Sequence, residues 1–123
     1  MTEHNNLETF PNPHPSRDYL IEHTAGEFTS ICPVTSQPDF ATITLRYIAD
    51  AACIELKSLK LYLQTFRSRG VYYEDVTNII LDNLVACCRP KWMLVQSTWS
   101  TRGGIQSTIT AHHGTRPIAD VDR

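Results

Sequence analysis

The stretch Phe40-Ala-Thr-Ile-Thr-Leu-Arg-Tyr-Ile48 alternates apolar and polar side chains. A period of two fits a β-strand with one face buried and the other toward water, not a helix. Half-buried strands belong to antiparallel sheets covered on one side. The rest of the chain must therefore supply partner strands and a cover.

Partners and cover can both be read from the pattern. Phe28 to Ile31 reads as a short strand stopped by Pro33, and Cys53 to Leu56 as another. Ser58 to Arg69 reads as a helix, with Leu59, Leu63 and Phe66 recurring at four and three and Gly70 as its stop. Glu74 to Cys88 reads as a second helix. Val76, Ile80, Leu84 and Cys87 or Cys88 fall at four-residue steps, Glu74 and Asp75 sit in the first turn, and Pro90 follows. Met93 to Trp99 and Ile105 to Ala111 read as two final strands around Arg-Gly-Gly. The expectation is an α+β domain in which two antiparallel helices cover one face of a four-stranded antiparallel sheet. Residues 1–26, with Pro11, Pro13 and Pro15 alternating, read as an N-terminal arm, 27–114 as one domain, and 115–123 as a polar tail. Such a sheet has two open edges, and pairing them with further copies would close it into a barrel.

With 123 residues, 41% of them apolar and 20% charged, the chain suits one globular domain. Eleven basic against thirteen acidic side chains argue against gripping nucleic acid through bulk positive charge. No apolar run reaches the ~18 residues of a membrane span, and the N-terminus lacks a signal-peptide pattern. The expectation is a soluble, cytoplasmic protein. Four cysteines form no C-x-x-C pair, and His112-His113 offers no zinc spacing, so no metal is expected. Cys53, Cys87 and Cys88 read as small buried hydrophobes, which leaves Cys32 unexplained.

Cys32 and Asp39 are separated by Pro-Val-Thr-Ser-Gln-Pro, a segment prone to turn back on itself. A carboxylate brought near a thiol can manage protons for a nucleophile. The same residues also read as a buried cysteine and an aspartate opening a strand. Glu55-Leu-Lys-Ser-Leu-Lys-Leu-Tyr62 lies at a strand-to-helix junction. There Glu55 can accept ligand N–H groups, and Lys57 and Lys60 can face an anion, or the segment is simply a solvated helix start.

Glu-Leu-Lys-Ser-Leu-Lys-Leu-Tyr resembles the motif E-[S/L]-K-[S/A]-hydrophobic-K-[L/Y]-[Y/F/W] of the NADPH-dependent 7-cyano-7-deazaguanine reductases, the nitrile reductases of queuosine biosynthesis. Phe28-Thr-Ser-Ile-Cys-Pro-Val-Thr-Ser-Gln-Pro-Asp-Phe40 resembles that family's nucleophile segment. Thr101-Arg-Gly-Gly-Ile105 resembles its Pro-Arg-Gly-Gly-Ile loop. The likeness runs from about residue 26 to residue 111, in order and at consistent spacing, and the length matches the short, single-module type.

The resemblance implies that Cys32 adds to the nitrile carbon to give a covalent thioimide and that Asp39 delivers the proton to nitrogen. It implies base recognition by Ile54, Glu55 and Leu56, with Tyr72, Tyr73 and Glu74 standing where the family has Phe-His-Glu. Tyr73 departs from the commoner histidine. It also implies two NADPH as co-substrate, with Lys57, Lys60, Arg102, Gly103 and Gly104 suited to phosphates. No G-x-G-x-x-G follows a strand, so the cofactor has no Rossmann domain to bind. The implied fold is the tunnelling fold (T-fold) shared with GTP cyclohydrolase I. The implied assembly is a homo-oligomer, two pentamers stacked as a decamer, with active sites between subunits. A T-fold amidinotransferase, which keeps the Cys and Asp and lacks the lysine-bearing motif, is the alternative.

Overall fold

The computed structural model of the chain describes residues 6–116. Residues 1–5 of the expected arm and 117–123 of the expected tail lie outside the described residues. In chain order the elements are β1 (Thr9–Pro11), β2 (Ile21–Ile31), β3 (Pro38–Ile48), β4 (Ala52–Ile54), α1 (Leu56–Gln64), α2 (Tyr73–Cys88), β5 (Trp92–Trp99) and β6 (Thr108–Gly114).

The alternating stretch is β3, and it lies inside a four-stranded antiparallel sheet of order β2-β3-β5-β6. Ala41, Ile43, Leu45 and Tyr47 point into the core, where Val95 and Trp99 of β5 join them. Leu59, Tyr62, Leu63 and Phe66 cover that layer from one segment, and Val76, Ile80 and Leu84 cover it from α2. Fully burying each such side chain contributes about 1.5–3 kcal/mol. Thr42, Thr44, Arg46, Gln96 and Thr98 alternate with the core residues and stay half-exposed on the other face.

The fold departs from the sequence expectations in several places. β2 begins at Ile21, so the expected boundary between arm and domain at residue 26 falls inside a strand. Its first half reads Ile-Glu-His-Thr-Ala-Gly, an edge strand with little apolar signal, and a register shift between Ala25 and Phe28 breaks the period. The arm also contributes β1, which pairs with the short β4. Leu56 starts α1 instead of ending that strand. α1 stops at Gln64, five residues before the expected Arg69. Beyond it, tighter bonds such as Phe66 N–H to Leu63 O (3.3 Å) continue the turn and still bury Phe66, so the apolar spacing survives the end of the helix. Arg89, in the left-handed region at φ 47°, caps α2 ahead of Pro90. β6 starts at Thr108 instead of Ile105, because Ile105 is spent closing a tight turn with Arg102. Cys53 and Cys88 are buried as expected, whereas Cys87 is only half-buried; all four cysteines are free thiols. No described helix is long and apolar enough to cross a membrane.

Candidate active site

The β2–β3 connection builds the centre of the site. Ser30 pairs with Asp39 and Ile31 with Pro38, and Cys32 N–H then donates to Gln37 O (2.8 Å). Ser36 N–H returns to Cys32 O (2.9 Å), and Ser36 takes a positive φ of 63° to close the turn. The chain between the two prolines thus folds back and sets Asp39 and Cys32 on one pocket. Residues 69–71 lock the other side, with Ile31 N–H on Arg69 O (3.0 Å) and Val71 N–H on Ile31 O (3.1 Å). That contact brings the start of α2, with Tyr72, Tyr73 and Glu74, over the same spot.

Cys32 is half-buried, and its thiol pKa is held below the usual value. The Thr35 hydroxyl is the largest cause, followed by the N–H groups of Thr35 and Val34; desolvation and the Asp39 charge oppose them. The loop therefore favours the thiolate, the reactive form of cysteine.

Asp39 is 4% exposed. Arg102 Nη1 donates to its Oδ1 at 2.5 Å and to Pro38 O at 3.3 Å. Tyr73 Oη donates to the same Oδ1 at 3.3 Å. Burying a carboxylate is costly without a counter-charge, and the guanidinium supplies one. The Tyr73 ring stacks on Trp99 at 3.9 Å and 8°. Burial first, and then Asp39, raise its hydroxyl pKa, so Tyr73 holds its proton tightly. Cys32, Asp39, Tyr72, Tyr73, Glu74 and Arg102 line one pocket of about 240 Å³.

The remaining expected residues lie elsewhere in the chain. Glu55 caps α1, its carboxylate accepting from Lys57 N–H (3.0 Å) and Ser58 N–H (2.7 Å), bonds that lower its pKa. Ile54 is buried and donates its N–H to Tyr47 Oη (2.9 Å). Ile54, Glu55 and Leu56 line a second cavity, of about 450 Å³, with Tyr47, Ile21 and His23. That cavity is at the Tyr47 end of β3, about 26 Å along the strand from Asp39 at ~3.3 Å per residue. One chain does not bring Glu55 to Cys32.

Lys57 and Lys60 are exposed on α1, and Lys60 lines a 330 Å³ groove with Arg67 along Ala25–Thr29. Arg102 meets Asp39 and neither lysine. Gly103 and Gly104, at φ 59° and 81°, form the tight turn closed by reciprocal bonds between Arg102 and Ile105 (2.9 and 3.0 Å). By charge and donor type these residues fit phosphate groups. No cluster of metal-ligating side chains exists among the described residues. Sequence reasoning missed Thr35, although it lies inside the quoted nucleophile segment, and Trp99, whose stack on Tyr73 leaves no local signal.

A loop-stabilised thiol beside a buried, counter-charged carboxylate, on a one-sided antiparallel sheet, is an arrangement suited to an α+β enzyme that uses a thiol. The family model described as QueF-like protein matches residues 38–117. The NADPH-dependent 7-cyano-7-deazaguanine reductase of Anaeromyxobacter sp. (strain K) is 54% identical over 111 residues, covering 90% of this chain and 91% of the relative. That of Chloroherpeton thalassium (strain ATCC 35110 / GB-78) is 56% identical over 107 residues, covering 87% and 92%. Among solved structures, the archaeosine synthase QueF-Like in the apo form superposes with a TM-score of 0.74 at 21% identity, covering 80% of this chain and 96% of that one, a likeness of fold. The chain belongs to the family of NADPH-dependent 7-cyano-7-deazaguanine reductases, which are oxidoreductases.

Proposed function

We propose that this chain reduces the nitrile of 7-cyano-7-deazaguanine to the aminomethyl group through a covalent thioimide on Cys32, a step of queuosine biosynthesis in the cytoplasm. The observation that carries the reading is the meeting of Cys32, Asp39, Tyr73, Glu74 and Arg102 in one pocket, with the thiolate favoured by its own loop. The Cys32 sulfur attacks the nitrile carbon, a C–S bond forms, and one C–N π bond opens. Asp39 passes to the nitrogen the proton the thiol gives up, so no anionic nitrogen accumulates. NADPH, when bound, supplies the two hydrides. Between them the nitrogen expels the sulfur, the C–S bond breaks to leave an imine, and Cys32 is restored; one proton from water accompanies each hydride. Lys57, Lys60 and Arg102, with the Gly103–Gly104 turn, would hold the phosphates. Glu74 accepts N–H groups from the guanine-like edge, and Tyr72 offers its exposed ring for stacking. Tyr73 steadies Asp39 by hydrogen bonding and moves no proton.

The separation of Glu55 from Cys32 supports a site completed by a second copy. The tunnelling fold would provide this by joining copies through the β2 and β6 edges into a barrel, as two pentamers forming a decamer. The central test mixes purified protein, 7-cyano-7-deazaguanine and NADPH and follows the nicotinamide absorbance. Two equivalents oxidised per nitrile consumed is the expected result. Nitrile consumption without NADPH oxidation would favour the amidinotransferase reading instead.

A further inference from the structure

Ser30 is fully buried, and its Oγ is the one buried side-chain polar atom among the described residues without a hydrogen-bond partner. Such a hydroxyl costs about 1–3 kcal/mol when left unpaired. Its position is specific. Ser30 stands directly opposite Asp39 in the β2–β3 ladder, where facing Cβ atoms are about 4.5–5.5 Å apart. Cys32 follows two residues later, and its N–H extends the same ladder to Gln37, so the alternation of side chains turns Ser30 and Cys32 to one face. The hydroxyl is thus flanked by the two groups the proposed addition uses. It is too buried to touch anything that enters the pocket, so it can act only through its neighbours.

Asp39 has room for it. Oδ1 already accepts from both Arg102 and Tyr73, whereas no described residue donates to Oδ2. Rotation about the single Ser30 side-chain torsion can swing a donor toward the carboxylate. We infer that Ser30 is a positioning residue for Asp39, its hydroxyl donating to the carboxylate as negative charge returns to it during proton delivery to the nitrile nitrogen. This inference rests on the reading of function above. Asp39 is neutral once it has taken the thiol proton, so a donor engaged as its charge returns stabilises the delivery transition state more than the protonated acid before it. The step itself balances: a C–S bond forms, one C–N π bond breaks, and the thiol proton ends on nitrogen.

The experiment measures thioimide formation without NADPH, by rapid mixing and intact-protein mass, at saturating 7-cyano-7-deazaguanine. For Ser30→Ala the addition rate should fall about ten- to a hundredfold, the worth of a hydrogen bond to a charged group. Nitrile affinity should stay within about twofold, and the thermal midpoint should hold or rise because an unpaired buried hydroxyl has been removed. Ser30→Thr and Ser30→Val, nearly equal in shape, separate the hydroxyl from packing should Ser30→Ala fold poorly: the Thr variant should add substrate at least tenfold faster than the Val variant. Wild-type rates in Ser30→Ala, or equal rates in the Thr and Val variants, would overturn the role of Ser30 alone. Failure of the wild-type protein to form any adduct would overturn the functional reading and this inference with it.

Discussion

Arg102 reaches across 63 positions of sequence to place Nη1 2.5 Å from Asp39 Oδ1. The ion pair joins the tight Gly-Gly turn to the nucleophile segment, which the primary structure keeps far apart. Asp39 is almost wholly buried, whereas the Arg102 side chain is 46% exposed.

That asymmetry makes the pair testable by denaturant titration. Removing one partner of a fully buried pair costs ~3–5 kcal/mol, and the exposure of Arg102 reduces the expectation for Arg102→Ala to about 1–2 kcal/mol. Adding Asp39→Asn should recover part of the loss, since the orphaned charge is then gone. Strictly additive losses in the double variant would mean the two side chains do not interact.

The loop around Cys32 sets a pH dependence. Because the Thr35 hydroxyl and the loop N–H groups depress the thiol pKa, thiolate is present from a lower pH than for an ordinary cysteine, and reactivity is lost as pH falls through that depressed value. Alkylation of Cys32 by iodoacetamide, followed against pH, should show the early midpoint. Thr35→Val should move it upward, toward the ordinary thiol range. An unmoved midpoint would show that the Thr35 hydroxyl does not hold the thiolate.

Tyr73 stands where histidine is the commoner residue of the family the sequence resembles. Tyr73→Phe keeps the stack on Trp99 and loses only the bond to Asp39, so transition-state stabilisation should drop by about 1 kcal/mol. Tyr73→His should stay active with an unchanged pH profile. A several-fold gain with a new inflection between about pH 6 and 7 would instead make the position a proton shuttle.

Cys32 and Glu55 can be assigned to halves of a shared site by mixing. Cys32→Ala and Glu55→Gln proteins should each be inactive; unfolded and refolded together at equal ratio, they should regain about a quarter of wild-type sites if neighbouring subunits complete one another. No recovery would place both residues' functions within one chain or none. In a separate titration, Glu74→Gln should weaken nitrile binding about tenfold or more while leaving NADPH binding nearly unchanged.

Most of the scaffold and of the chemistry-bearing segments follows from local patterns along the chain. The period of β3, the four-step apolar repeat of α2 and the two prolines between Cys32 and Asp39 are local signals, written within one strand, helix or turn. The motifs that resemble the reductases are equally local, and they single out Cys32, Asp39 and Glu74 without any long-range contact. The remainder exists only in the folded chain, because the relationships involved are between distant residues. An edge strand such as the first half of β2 needs little apolar character, so only its pairing with β3 reveals it. The partners of Asp39 come from the α2 N-terminus and from the turn after β5, and the Tyr73–Trp99 stack spans two elements with no shared periodicity. Glu55 is the sharpest case. Its motif suggested a carboxylate that accepts ligand N–H groups, yet the length of β3 separates Asp39 from the Tyr47 end of the sheet, where Glu55 lies. There it caps its own helix, so any role in the Cys32 site has to come from another copy of the chain.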